Sequence, residues 1–164
     1  MSTRALRGLS AAIVPLVVIL AARAWLVEPF TVSSDSMEPA IDKGSVVLLY
    51  KPAVASGLVR RGVVVAFADP EDGNTTIKRV IALEGQVVAI RDAELYVDGQ
   101  YVREPLIDHS RIDATYFGPL TVPTGKIFVL GDNRGVSIDS RDYGAVPLTA
   151  VRGAIMTGRH QCCL

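Results

Sequence analysis

Val63-Val64-Val65-Ala66-Phe67-Ala68 and Thr75-Thr76-Ile77-Lys78-Arg79-Val80-Ile81-Ala82-Leu83, joined by Asp69-Pro70-Glu71-Asp72-Gly73-Asn74, decide the fold class. Both runs are short and apolar or β-branched, and the Asp72-Gly73 between them is a hairpin-type turn signal. The same punctuation recurs on either side. Ser45–Tyr50, Gln86–Ile90, Glu94–Val97, Gln100–Arg103, Lys126–Leu130 and Val151–Thr157 read as further strands, with Asp98-Gly99 as a second turn signal. After Pro29 no stretch carries convincing helical periodicity, internal repetition or low complexity. Arg103–Thr124 carries little strand signal and reads as a long loop. The expected fold is mainly β, a compact, mostly antiparallel domain of coiled, barrel-like sheets.

Ahead of that domain, Leu9 to Leu26 is apolar apart from Ser10 and Arg23. A bilayer-spanning helix needs about 20 predominantly apolar residues, so the run suffices, slightly short. Arg4 and Arg7 precede it, which by the positive-inside rule keeps the N-terminus cytoplasmic and sends the rest outward. Arg23 and Trp25 suit the outer interface. The same features describe a cleaved signal peptide, with Ala22-Arg23-Ala24 as its small-x-small site, and the segment alone leaves both readings open. The anchor reading divides the chain into a cytoplasmic N-terminus (1–8), a transmembrane anchor (9–27) and an extracytoplasmic β-rich domain (28–164), which is large enough for one core and too small for two.

The 164 residues hold 17 basic and 17 acidic side chains and no long basic run, so nothing points to nucleic acid. Lysines are few: Lys43, Lys51, Lys78 and Lys126. Arginine stays protonated in proteins whereas a buried lysine can lose its proton, so a lysine next to Arg79 is a meaningful choice. Cys162 and Cys163 are adjacent at the C-terminus; neighbours make a strained disulfide, and the pair lacks the spacing of a metal site. They read as an incidental tail. His109 and His160, the only histidines, sit in no obvious motif and read as ordinary surface residues.

The chemistry-bearing residues fall into three boxes. The first is Ser34-Asp35-Ser36-Met37-Glu38-Pro39, the second Lys78-Arg79-Val80, and the third Gly131-Asp132-Asn133-Arg134 with Ser137, Asp139, Ser140, Arg141, Tyr143 and Gly144. Taken singly, Ser36 reads as a turn residue, Lys78 as an exposed strand lysine and the third box as a polar loop. A serine hydroxyl becomes a good nucleophile when a base takes its proton, and lysine can be that base if its surroundings keep it neutral. Strand alternation over Thr75–Leu83 puts Thr76, Lys78, Val80 and Ala82 on one face, where burial would depress the lysine.

In this order, from roughly residue 23 to 147, the boxes resemble those of bacterial type I signal peptidases, membrane-anchored Ser/Lys proteases that remove signal peptides from exported proteins. The resemblance implies Ser36 as nucleophile and Lys78 as general base. It implies an oxyanion hole from the Ser34 hydroxyl and the Ser36 N–H, Ser137 as the residue orienting the lysine, and Asp139 with Arg141 as a supporting buried ion pair. It implies no cofactor and no metal, preproteins with small-x-small cleavage sites as substrates, and a single-pass protein in the plasma membrane lipid with its catalytic domain outside. It also favours the uncleaved anchor. An extended substrate would add as a strand beside the segments carrying Ser36 and Lys78. The chain departs from the family pattern at Ser33, Asp35, Ala40 and Ala82-Leu83-Glu84-Gly85-Gln86, which bears on loop geometry and substrate preference. Two other readings stand beside this one: a Ser/Lys self-cleaving repressor-type peptidase, against which the apolar N-terminus argues, and a non-enzymatic tethered or secreted β domain that binds a partner.

Overall fold

The computed structural model describes residues 13, 15, 25–105, 107 and 116–156. These form the strands β1 (Val27–Thr31), β2 (Val46–Tyr50), β3 (Val64–Ala68), β4 (Thr75–Leu83), β5 (Val87–Arg91), β6 (Glu94–Val97), β7 (Gln100–Tyr101), β8 (Tyr116–Thr121), β9 (Lys126–Leu130), β10 (Val146–Pro147) and β11 (Val151–Met156). A seven-stranded sheet runs β1-β2-β11-β3-β4-β9-β10 and a four-stranded sheet β7-β6-β5-β8. Every pairing is antiparallel.

The opening hairpin sits inside the larger sheet, with Val64 opposite Arg79 and Ala68 opposite Thr75. An unbroken apolar run such as Val64–Phe67 is what a strand covered on both faces requires. One face of β3 sends Val65 and Phe67 into a cluster with Val80, Val129 and Val146. The other sends Val64 and Ala66 against Ile77, Leu49, Ile155, Val32 and Met37. A third cluster cements the two sheets: Ile81, Ala82, Phe128 and Leu130 from the larger one meet Val88, Ile90, Leu95 and Val97 from the smaller. Each Val, Leu, Ile, Phe or Met so buried contributes roughly 1.5–3 kcal/mol, which makes these clusters the main source of the scaffold's stability.

Three expectations change. Arg103–Thr124 is not loop throughout, because Tyr116–Thr121 is a strand paired with β5. Its Gly118-Pro119 reads as a breaker in sequence but here makes a kink: the register shifts between Val88 and Ile90, and Gly118 has φ +75°. A Cβ at Gly118 would lie 2.5 Å from the Val88 carbonyl oxygen, so only glycine lets the backbones approach. Val27–Thr31 is a strand although it contains Glu28 and Pro29; it forms one edge of its sheet, where proline is tolerated. Finally, Ala82 does not share a face with Val80. A bulge between them turns Ile81 and Ala82 together toward the smaller sheet, because the register against β9 slips by one residue there.

Most of the 9–27 span lies outside the described residues, as do His109, His160, Cys162 and Cys163. Among the described residues no helix is long and apolar enough to cross a membrane.

Candidate active site

Ser36 lies in the loop between β1 and β2, and the loop is tied at its neck. Val32 N–H donates to the Ser45 carbonyl at 2.9 Å, and Gly44 N–H to the Val32 carbonyl at 2.8 Å. Within it, Met37 is completely buried and packs with Val32 and Ile41. Burying a methionine is worth roughly 1.5–3 kcal/mol, so the residue after Ser36 holds the segment against the core. From the other side, Asn133 N–H donates to the Ser36 carbonyl at 3.0 Å and its side-chain amide to the Asp35 carbonyl at 3.3 Å. The first and third sequence boxes are thereby joined by backbone.

Lys78 reaches the same place from β4. Its Nζ is 2.8 Å from Ser36 Oγ, and Ser34 Oγ is 3.1 Å from Ser36 Oγ. Lys78 and Ser36 are 3% and 5% exposed, so neither charge nor proton is shared freely with bulk water. Burial pushes the Lys78 ammonium below its ordinary 10.5; the charges of Asp139 and Asp69 oppose this and Arg141 adds to it. A neutral amine in hydrogen-bond contact with a hydroxyl can accept the hydroxyl proton, whereas an exposed lysine at neutral pH cannot.

The loop after β9 closes the site and has almost no ladder of its own. Three forked Arg–carboxylate pairs brace it instead. Asp139 is paired by Arg141, Nε to Oδ1 at 2.9 Å and Nη2 to Oδ2 at 3.0 Å, and also accepts Gly131 N–H at 3.0 Å. Arg79, the neighbour of Lys78, donates to both oxygens of Asp132 at 2.7 and 2.5 Å, and to the Gly62 carbonyl at 2.7 Å. Arg134 donates to both oxygens of Glu104 at 2.9 and 2.5 Å. The Arg79–Asp132 and Arg134–Glu104 pairs are buried braces of this loop that sequence reasoning did not assign. Arg79 stands in the second box and Asp132 and Arg134 in the third, but nothing in the sequence pairs them, and Glu104 left no signal.

Ser137 is buried, and its hydroxyl has no hydrogen-bond partner among the described residues. It lodges over Gly131: an added Cβ there would lie 2.2 Å from Ser137 Oγ and 2.6 Å from the Ser36 carbonyl oxygen. Gly131 therefore serves by leaving space where three segments converge. The structure thus brings Ser34, Ser36 and Lys78 into one hydrogen-bonded group, and sets Ser137, Asp139 and Arg141 in the loop behind it.

Residues 6–157 match the family model described as signal peptidase, peptidase S26. The chain belongs to that family. The signal peptidase I of Bacillus licheniformis is 38% identical over 140 residues, covering 80% of this chain and 75% of that one. Signal peptidase I T of Bacillus subtilis (strain 168) is 33% identical over 140 residues, 80% of this chain and 72% of its own length. Among solved structures, the crystal structure of a signal peptidase I from Enterococcus faecalis V583 is similar at 34% identity and a TM-score of 0.52. The likeness covers 59% of this chain and 96% of that one. Membership in the S26 peptidases makes the chain a serine peptidase of the signal peptidase I kind. It removes the binding-domain and repressor readings as explanations of the three boxes.

Proposed function

We propose that the chain cleaves signal peptides from exported preproteins with Ser36 as nucleophile and Lys78 as general base. The observation that carries the roles is the 2.8 Å contact between Ser36 Oγ and a lysine only 3% exposed. Ser36 Oγ attacks the carbonyl carbon of the small residue before the cut while its proton passes to Lys78 Nζ. The oxyanion so formed meets the Ser36 N–H and the Ser34 hydroxyl, which swings from Ser36 Oγ to the new charge. Collapse breaks the C–N bond, and the Lys78 ammonium returns the proton to the leaving amine. Water then attacks the acyl-enzyme carbonyl as Lys78 takes its proton; collapse breaks the ester bond to Ser36 Oγ, and Lys78 returns the proton to that oxygen. The buried, unpartnered Ser137 hydroxyl is available to hold Lys78 in line, and the Asp139–Arg141 fork supports the loop that carries it.

The anchor belongs to this reading. Residues 9–27 hold the chain in the plasma membrane with the N-terminus cytoplasmic, and residues 28–164 work outside, where signal peptides emerge. Confinement to the same surface raises the effective concentration of the cleavage site. The direct test incubates the purified protein, beside Ser36→Ala, with a preprotein bearing an Ala-x-Ala site and sequences the new N-terminus. A new terminus immediately after the second Ala, absent with Ser36→Ala, is the expected result.

Two further outcomes follow. Ser34→Ala should lower kcat by roughly 10²–10³-fold with little change in KM, since its hydroxyl acts on charge present only in the transition state. Unchanged turnover would mean that other donors build the hole. The pH profile should rise with pH, because the neutral amine is the active form. Since burial places the Lys78 titration below 10.5, the rise should be complete at lower pH than an exposed lysine would allow. The check is kcat/KM against pH, and a profile that falls over the alkaline limb of that rise would remove Lys78 from the role.

A further inference from the structure

An open cavity of about 500 Å³ lies beside the nucleophile, walled on one side by the end of β1 with Ser33-Ser34 and on the other by Asp69, Asp72, Asn74 and the start of β4. It reaches Ser34, whose hydroxyl is 3.1 Å from Ser36 Oγ, so it is open to a peptide presented to Ser36. Its lining is polar: Phe30 is the lone apolar side chain, the others are hydroxyls, one amide and two carboxylates, and no basic residue is among them. Arg152 stays outside the lining, its guanidinium donating to the Thr75 hydroxyl.

Both carboxylates are oriented by the hairpin turn. Asp69 Oδ1 accepts Glu71 N–H at 2.9 Å, and Asp72 accepts the backbone and side-chain N–H groups of Asn74 at 2.8 and 2.7 Å. Each keeps acceptor capacity for a further partner. The Asn74 hydrogen bonds hold the Asp72 carboxyl below its usual range, so it meets a substrate ionised. The direction of the peptide follows from the proposed anchor. On that reading β1, which starts at Val27 directly after the apolar segment, makes the Phe30 end of the cleft the one nearer the membrane along the chain. A signal peptide whose apolar core is still in the bilayer enters from that end. The residues in the cleft are then those between the apolar core and the cut.

We infer that this cleft selects signal peptides carrying a lysine or arginine in the few residues between the apolar core and the cut, with Asp69 and Asp72 as specificity determinants. The inference rests on the peptidase reading above and deepens it. The test uses the purified full chain and peptides with an Ala-x-Ala site, in which each position two, four, five and six residues before the cut is in turn Gln, Lys or Glu. The Lys-to-Glu ratio of kcat/KM is compared between the parent and the Asp69→Asn/Asp72→Asn double variant. A preference of about three- to tenfold for Lys is expected at one or more positions, the range of a few partly exposed charge pairs, and it should shrink toward unity in the variant and in high salt. Because each ratio is taken within one protein, any effect of the substitutions on folding or on Lys78 cancels. A ratio near unity in the parent, a ratio unchanged by the double substitution, or a preference confined to residues after the cut overturns the inference while cleavage of the Gln peptides upholds the peptidase. Failure to cut any of the peptides overturns both.

Discussion

Ser36→Ala, Lys78→Ala and the double variant should share one residual activity, each about 10⁴-fold or more below the parent, because nucleophile and base act as a unit and the second loss removes nothing further. The measurement is single-turnover cleavage of a preprotein at saturating enzyme, beside a binding assay showing that substrate still associates. Lys78→Arg should fare no better, since a guanidinium cannot give up its proton to become a base. The 2.8 Å contact makes this a sharp test. A double variant much slower than either single one would mean that the two residues contribute separately, and substantial turnover by Lys78→Arg would assign the proton to another group.

The largest loss of stability should come from splitting a buried fork. The Arg134 and Glu104 side chains are each only 2% exposed, so Arg134→Met leaves a carboxylate without its countercharge in the interior. Breaking such a pair costs about 3–5 kcal/mol, whereas replacing both members with apolar residues of similar volume is often neutral. Urea unfolding should therefore show Arg134→Met destabilised by that amount and Arg134→Met/Glu104→Leu recovering most of it. If the double variant is no better than the single, the fork supplies something besides charge compensation. The Arg134 Nε bond to the Gly131 carbonyl, at 2.9 Å, is then the first candidate.

Which parts of this molecule could be read in advance follows from how local their causes are. Thr75–Leu83, Glu94–Val97 and Lys126–Leu130 are strands within the bounds that their β-branched and apolar runs suggest, since the run and its flanking turns carry the whole signal. Tyr116–Thr121 escaped because its Gly118-Pro119 is a turn signal locally, and becomes a kinked strand only when β5 lies alongside. Val27–Thr31 escaped because an edge strand can keep a proline that a central strand cannot. In the site, the meeting of Ser36 and Lys78 was legible through the order of the three boxes. Arg79 with Asp132, and Arg134 with Glu104, were not, because an ion pair joining distant segments leaves no periodicity and no turn. The free hydroxyl of Ser137 is likewise a product of packing over Gly131, invisible until both loops are placed.

The burial of Lys78 also couples folding to proton release. In the unfolded chain this lysine titrates near its ordinary 10.5, and in the fold it titrates lower, so between the two values the unfolded state binds more protons than the native one. Stability from this group therefore rises with pH across that window, and is lowest where the ammonium persists in both states. The fold carries a charged lysine in its interior at low pH and is relieved of it as the pH climbs. Activity should thus level off once the native lysine is neutral, while the urea midpoint measured on the same samples goes on rising until the unfolded lysine loses its proton as well.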